Sequence, residues 1–162
     1  MRKLILLALL SLASCACRAQ IPTDLFFTKW VLHQKIDRMT GNLVEIAIKE
    51  SEYQLEFRTR HQALSMGIKR VAGVINMMFI LDNQVFEDVP DKTLDFRFDD
   101  DPMQTFNFWF PSHGDSSMID VRDAAYLLGR LRKAHTMLVR VTLNREGQRI
   151  FEFDVRNIPL QP

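Results

Sequence analysis

Apolar and polar side chains alternate with a period of two in one short run after another along this chain, and no other feature of the sequence constrains its fold as much. Trp30 to Ile36 and Leu43 to Lys49 alternate on either side of Arg38-Met39-Thr40-Gly41-Asn42, a turn whose glycine can take positive φ, so the two runs predict a β-hairpin. Tyr53, Leu55 and Phe57 mark a third strand, with Gln54, Glu56 and Arg58 toward water. Leu94, Phe96 and Phe98 alternate with Asp95 and Arg97. Asp99-Asp100-Asp101-Pro102 then turns the chain, and Phe106, Phe108 and Phe110 alternate with Asn107 and Trp109, a second hairpin. Val139, Val141 and Leu143, then Phe151, Phe153 and Val155 past a Glu146-Gly147 turn, predict two closing strands. Val74 to Leu81 is apolar on both faces and stops at Asp82-Asn83, as a central buried strand would. His61 to Val74 fits a helical stripe as well as a strand interrupted at Gly67 and Gly73; strand or irregular chain is expected.

One segment carries the helical period. Ser117 with Asp120 resembles a capping box, and Val121, Ala124, Ala125, Leu128 and Leu131 follow as an apolar stripe. Asp120 and Asp123 fall in the expected first turn and Arg132, Lys133 and His135 in the last, as the helix dipole prefers. Many short strands and one late helix predict a mostly β (α+β) architecture: an antiparallel β-sandwich or open barrel with one helix in the C-terminal half closing an end.

The start of the chain bears on address. Arg2 and Lys3 precede a run from Leu4 to Leu12 that is apolar but for Ser11, too short to cross a hydrocarbon core of about 30 Å as a helix. Leu12-Ala13-Ser14-Cys15 follows, with small residues at a cut and a thiol able to accept a diacylglycerol thioether. The segment resembles the signal and lipobox of bacterial lipoproteins. That resemblance implies a signal peptide over 1–14, a mature chain from Cys15 held in the membrane by its acyl chains, and, since Ala16 is not Asp, release toward the outer membrane on its periplasmic side. A cut by ordinary signal peptidase after Ala19 is the rival; the apolar run ends at the lipobox, which favours Cys15. Residues 15–29 then read as a lipidated tether whose Phe26 and Phe27 dock on the domain, and 30–158 as one β-rich domain. Both cysteines, Cys15 and Cys17, lie ahead of that domain, so its stability comes from packing and not from a disulfide. Cys17 is expected to stay an idle thiol.

Composition and spacing argue against catalysis, metals and nucleic acid. Lys and Arg number 21 against 20 Asp and Glu, so no basic excess attracts nucleic acid. His113, Asp115 and Ser116 bring imidazole, carboxylate and hydroxyl into one loop, but there is no G-x-S-x-G elbow, and a polar loop that caps the helix is the expectation. Asp95, Asp99, Asp100 and Asp101 lack the alternation and glycine of a Ca²⁺ loop and read as a solvated turn. His33, His61, His113 and His135 are scattered one to a segment, without zinc spacing. No phosphate-cradling glycine loop is present, so no cofactor is expected. Trp109 lies opposite the three phenylalanines of its strand, with Arg97 expected across the hairpin; the pair is either a recognition patch or a second core layer beneath the helix.

From Leu94 to Ile158, the order Phe96-Arg97-Phe98-Asp99, Pro102, Trp109, helix, Leu138-Val139-Arg140-Val141 and Phe151-Glu152-Phe153-Asp154-Val155-Arg156 resembles the C-terminal half of the TagO family of type VI secretion accessory proteins. The invasion-associated locus B family of periplasmic proteins shows a similar pattern. The resemblance implies an accessory role with no catalytic residues to carry over. The expected function is a membrane-anchored, non-catalytic binding module with a protein partner in the envelope, in a secretion or conjugation apparatus. The alternative is an immunity protein or inhibitor of a toxin or cell-wall hydrolase.

Overall fold

The computed structural model describes residues 29–52, 55–57, 60–82, 84–111 and 116–160, with backbone alone at 55–57 and 60–62. The alternating runs form β1 (Val31–Ile36), β2 (Leu43–Glu50), β5 (Leu64–Val71), β6 (Val74–Leu81), β7 (Thr93–Phe98), β8 (Gln104–Trp109), β9 (Met118–Val121), β10 (Thr136–Leu143) and β11 (Gly147–Asp154). These join into one nine-stranded sheet in the order β1-β2-β5-β6-β9-β8-β7-β10-β11, every neighbouring pair antiparallel. β3 (Leu55–Phe57) and β4 (Arg60–Gln62) pair apart from it. Among the described residues the single helix, α1 (Ala124–Leu131), lies in the C-terminal half. The fold is therefore mostly β with one helix, and its sheet is not closed into a barrel.

The period of two decides which face is the core. Ala47, Met66, Phe79, Ile119, Phe108, Phe96, Val139 and Phe153 project to one side of successive strands and are buried together. Phe79 on β6 meets Phe153 on the far edge strand at 6.1 Å between ring centroids. Those strands stand five places apart in the sheet, so a flat sheet would hold them roughly 24 Å apart. The sheet is thus curled until its two halves face each other across the phenylalanines.

The two edges meet along a seam without a strand ladder. Trp30 Nε1, just ahead of β1, donates to the carbonyl of Arg156 at 2.9 Å, and Glu52 N, just past β2, donates to the carbonyl of Glu152 at 2.8 Å. Lys49 is 1% exposed on the inner face of β2 and lies in the field of Asp154 and Glu52; burial lowers its pKa and the two carboxylates oppose that. Asp154 accepts from Arg156 Nε at 2.8 Å, and the Arg156 hydrogen bonds hold its carboxyl down at about 2.

Two expectations are corrected. The helix does not begin at a Ser117–Asp120 capping box: Met118 to Val121 is β9, paired with β6 on one side and β8 on the other, and Asp123 in the left-handed region (φ 57°) turns the chain into a helix that starts at Ala124 with no side-chain cap. Its buried stripe is Ala124, Leu127, Leu128 and Leu131; Ala125 faces out and Val121 belongs to the strand. No acidic residue occupies its first turn, and Arg130 is the basic residue of its last. Second, β6 is central but buried on one face only, with Val74 62% and Ile80 37% exposed on the other. An antiparallel sheet folded around a single core leaves its outer side to solvent. The strand expected over 61–74 is present as β4 and β5; β5 runs through Gly67 unbroken and ends at the Ala72-Gly73 turn.

Candidate interaction surface

The outer face of the sheet is the best candidate, and strand register builds it. Val31 pairs with Ile48, Ile48 with Gly67, Gly67 with Met78, Met78 with Asp120, and Asp120 with Trp109, so these side chains form one row across six strands. Trp109 is 37% exposed and Val31 48%. Glycine has a packing reason at 67: a Cβ there would stand 3.0 Å from Met78 Cγ, so the Met78 side chain lies directly over the bare backbone. Ile80 and Met118 extend it on one side beside Ser65, and Ile46 adjoins it on the other beside His33, Lys69 and Asn76, so the apolar band is narrow and rimmed by polar side chains.

Asp120 stands in that band with no hydrogen-bond partner among the described residues. Burial pushes its pKa up, and Lys69, one row away, opposes the shift. A desolvated carboxylate between Met78 and Trp109 gives the band one polar feature suited to a cationic group.

Arg97 does not join Trp109. β7 pairs Phe96 with Gln104, so Arg97 falls beyond the end of β8, about 20 Å along the strand from Trp109. Its neighbour by strand register is Leu138 on β10. There it is exposed and lines two adjoining clefts, one of about 480 Å³ with Asp99, His135 and Glu152, the other of about 230 Å³ with Asp95, Arg140 and Ile150. Nor is Trp109 a core layer beneath the helix, since it points away from the core that Leu127 and Leu128 enter.

The remaining chemical candidates are structural where described. Asp99 accepts from Thr136 N at 2.8 Å and His135 N at 3.0 Å; these amides, Thr136 first, lower its pKa. Asp95 accepts from Arg140 at 2.6 Å and Thr105 Oγ1 at 2.7 Å, contacts that outweigh the upward push of burial. Asp101 pairs with Arg130, tying the β7–β8 turn to the helix. These carboxylates staple turns and strands together and leave no cage for a cation. Ser116 and Ser117 offer their carbonyls to Phe86 N and Leu81 N, while His113 and Asp115 lie outside the described residues, as do Cys15, Cys17, Phe26 and Phe27. The side chain of His61 is also outside; His33 lies on β1, His135 after α1 stands 3.9 Å from Asp99, and no group of three His, Cys, Asp or Glu side chains able to hold a metal ion occurs among the described residues. No described helix is long and apolar enough to cross a membrane.

The row through Asp120 was not legible from sequence, because it requires the register of six strands, two of them distant in the chain. The one available signal was Trp109 itself, out of phase with its phenylalanines. No protein-family model, curated protein or solved structure matches the chain.

Proposed function

We propose that this protein is a lipoprotein of the bacterial envelope, anchored through Cys15, whose β-domain works without catalysis as a binding module for a protein assembly. The observation that supports it best is the outer-face row ending at Trp109: a large aromatic, partly exposed on a rigid strand and continuous with an apolar band, is the kind of residue that dominates interface energy. Asp120 beside it selects partners presenting a Lys or Arg at the contact. An export signal with a lipobox places such a surface in the envelope. The choice of a secretion or conjugation apparatus rests on the resemblance over residues 94–158, and the outer-membrane address on Ala16 after Cys15.

The test joins both halves of the reading. Cys15→Ala is expected to abolish labelling by a fatty-acid analogue and release the protein from membranes; labelling that persists sinks the anchor. Trp109→Ala is expected to lose recovery of the partner assembly from detergent-solubilised envelope, with a loss equivalent to about 2 kcal/mol or more at a hot spot, while the urea midpoint moves little. A large drop in midpoint with no separate loss of recovery sinks the surface.

A further inference from the structure

The three most exposed large apolar side chains among the described residues are Met39 at 94%, Val74 at 62% and Ile36 at 60%, and all three sit at the same end of the sheet. Ile36 pairs with Leu43, itself 45% exposed, at the last step of the β1–β2 hairpin, and Met39 occupies the turn beyond it. Val74 begins β6 at the neighbouring hairpin. Because Val44 pairs with Val71 and Val71 with Val74, the two hairpin ends lie side by side, about 10 Å apart.

The apex is built to hold Met39 in water. Asp37 Oδ1 accepts from Met39 N at 2.8 Å and Thr40 N at 3.1 Å, Gly41 N donates to the Asp37 carbonyl at 2.7 Å, and Asp37 N donates to the Asn42 carbonyl at 2.9 Å. The turn amides, Thr40 first, lower the Asp37 pKa, and the nearby Lys35 charge adds to the shift. Glu45, the next carboxylate along β2, accepts from Gln34 at 3.0 Å and Arg70 at 2.6 Å. Lys35 and Arg38 flank Ile36 and Met39, both exposed and with no ion pair among the described residues. The tip therefore shows solvent an apolar apex with two exposed cations beside it, Lys35 in the field of Asp37 and Arg38 on the far side of that carboxylate in the chain, which leaves the turn one net positive charge.

From this juxtaposition we infer that the paired hairpin ends dock on an anionic phospholipid surface, Met39 and Ile36 entering the boundary between headgroups and acyl chains while Lys35 and Arg38 stay at headgroup level. Apolar insertion and attraction of basic side chains to anionic lipid are the two forces that hold a peripheral contact on a bilayer, and the tip supplies both. A preformed turn adds no ordering cost on contact. The inference goes beyond the acyl anchor and does not require it.

The test uses the full chain with Cys15→Ser and Cys17→Ser, carrying a single environment-sensitive fluorophore through Met39→Cys or, as control, Ile150→Cys on the outer face of β11. Because the readout is local, it reports the tip whatever else holds the chain to vesicles. On phosphatidylglycerol–phosphatidylethanolamine vesicles the label at 39 is expected to shift blue and become protected from aqueous quencher, the label at 150 to do neither. Lys35→Ser and Arg38→Ser are each expected to weaken the transition roughly fivefold. An unchanged urea midpoint verifies that these solvent-exposed changes leave the fold intact. A label at 39 that stays in water overturns the proposal and leaves the tip to a protein partner. Equal shifts at 39 and 150, or equal response on phosphatidylcholine vesicles, overturn it as well.

Discussion

Two aspartates on the outer face of the same sheet carry opposite pH signatures. Asp154 is held down at about 2 by Arg156, below its ordinary value of 3.8, so its contribution to stability is present above pH ~4 and fades as pH falls toward 2. Asp120 is pushed above 3.8 by burial; its ionised form is a cost at neutral pH that disappears as acid protonates it. Asp154→Asn is therefore expected to lower the urea midpoint at pH 7 and to converge on wild type as pH approaches 2. Asp120→Asn is expected to raise the midpoint at pH 7, with the gain vanishing on acidification. A pH series of midpoints on both variants checks the pair, and the same sign for the two would refute the assignment. Neither role was legible in sequence, where Asp154 was one of several alternating polar positions and Asp120 a supposed helix residue.

At the scale of elements, the inward positions of the phenylalanine-bearing hairpin and of the closing strands follow from alternation alone: Phe96, Phe98, Phe106 and Phe108, then Val139, Val141, Phe151 and Phe153, are all buried. Alternation failed where two periods coincide. Met118-Ile119-Asp120-Val121 satisfies a strand as well as the start of a helix, and only pairing to β6 and β8 decides between them. The strand consumed what looked like the helix N-terminus, which left α1 eight residues long and dependent on its buried stripe. Leu127→Ala and Leu128→Ala are each expected to cost about 2–5 kcal/mol, since both truncations open a cavity in the core, whereas Ala125→Ser on the outward side is expected to leave the urea midpoint nearly unchanged. Equal effects at 125 and 127 would mean the helix packs on another face.

Across the whole molecule, strand order was the part that local pattern could not supply. β9 sits between β6 and β8, and β10 reaches back to β7, pairings set by long-range packing and not by any run of residues. Phe86 bridges to Leu143 from a stretch with no alternating signal at all. The seam is a further product of the curl, and it gives a whole-molecule prediction. Trp30→Phe keeps the ring and removes the donor to Arg156, and is expected to cost about 0.5–1.5 kcal/mol. Hydrogen exchange is expected to quicken at Glu52 and Val155 while Met77 and Val139 keep their protection; uniform acceleration would show that the sheet unfolds as one unit and the seam has no stability of its own.

The Trp30–Arg156 contact also joins two stretches that lie far apart in sequence. The chain enters β1 beside the place where it leaves β11, so the contact acts as a clasp that keeps the first and last strands of the curled sheet from parting.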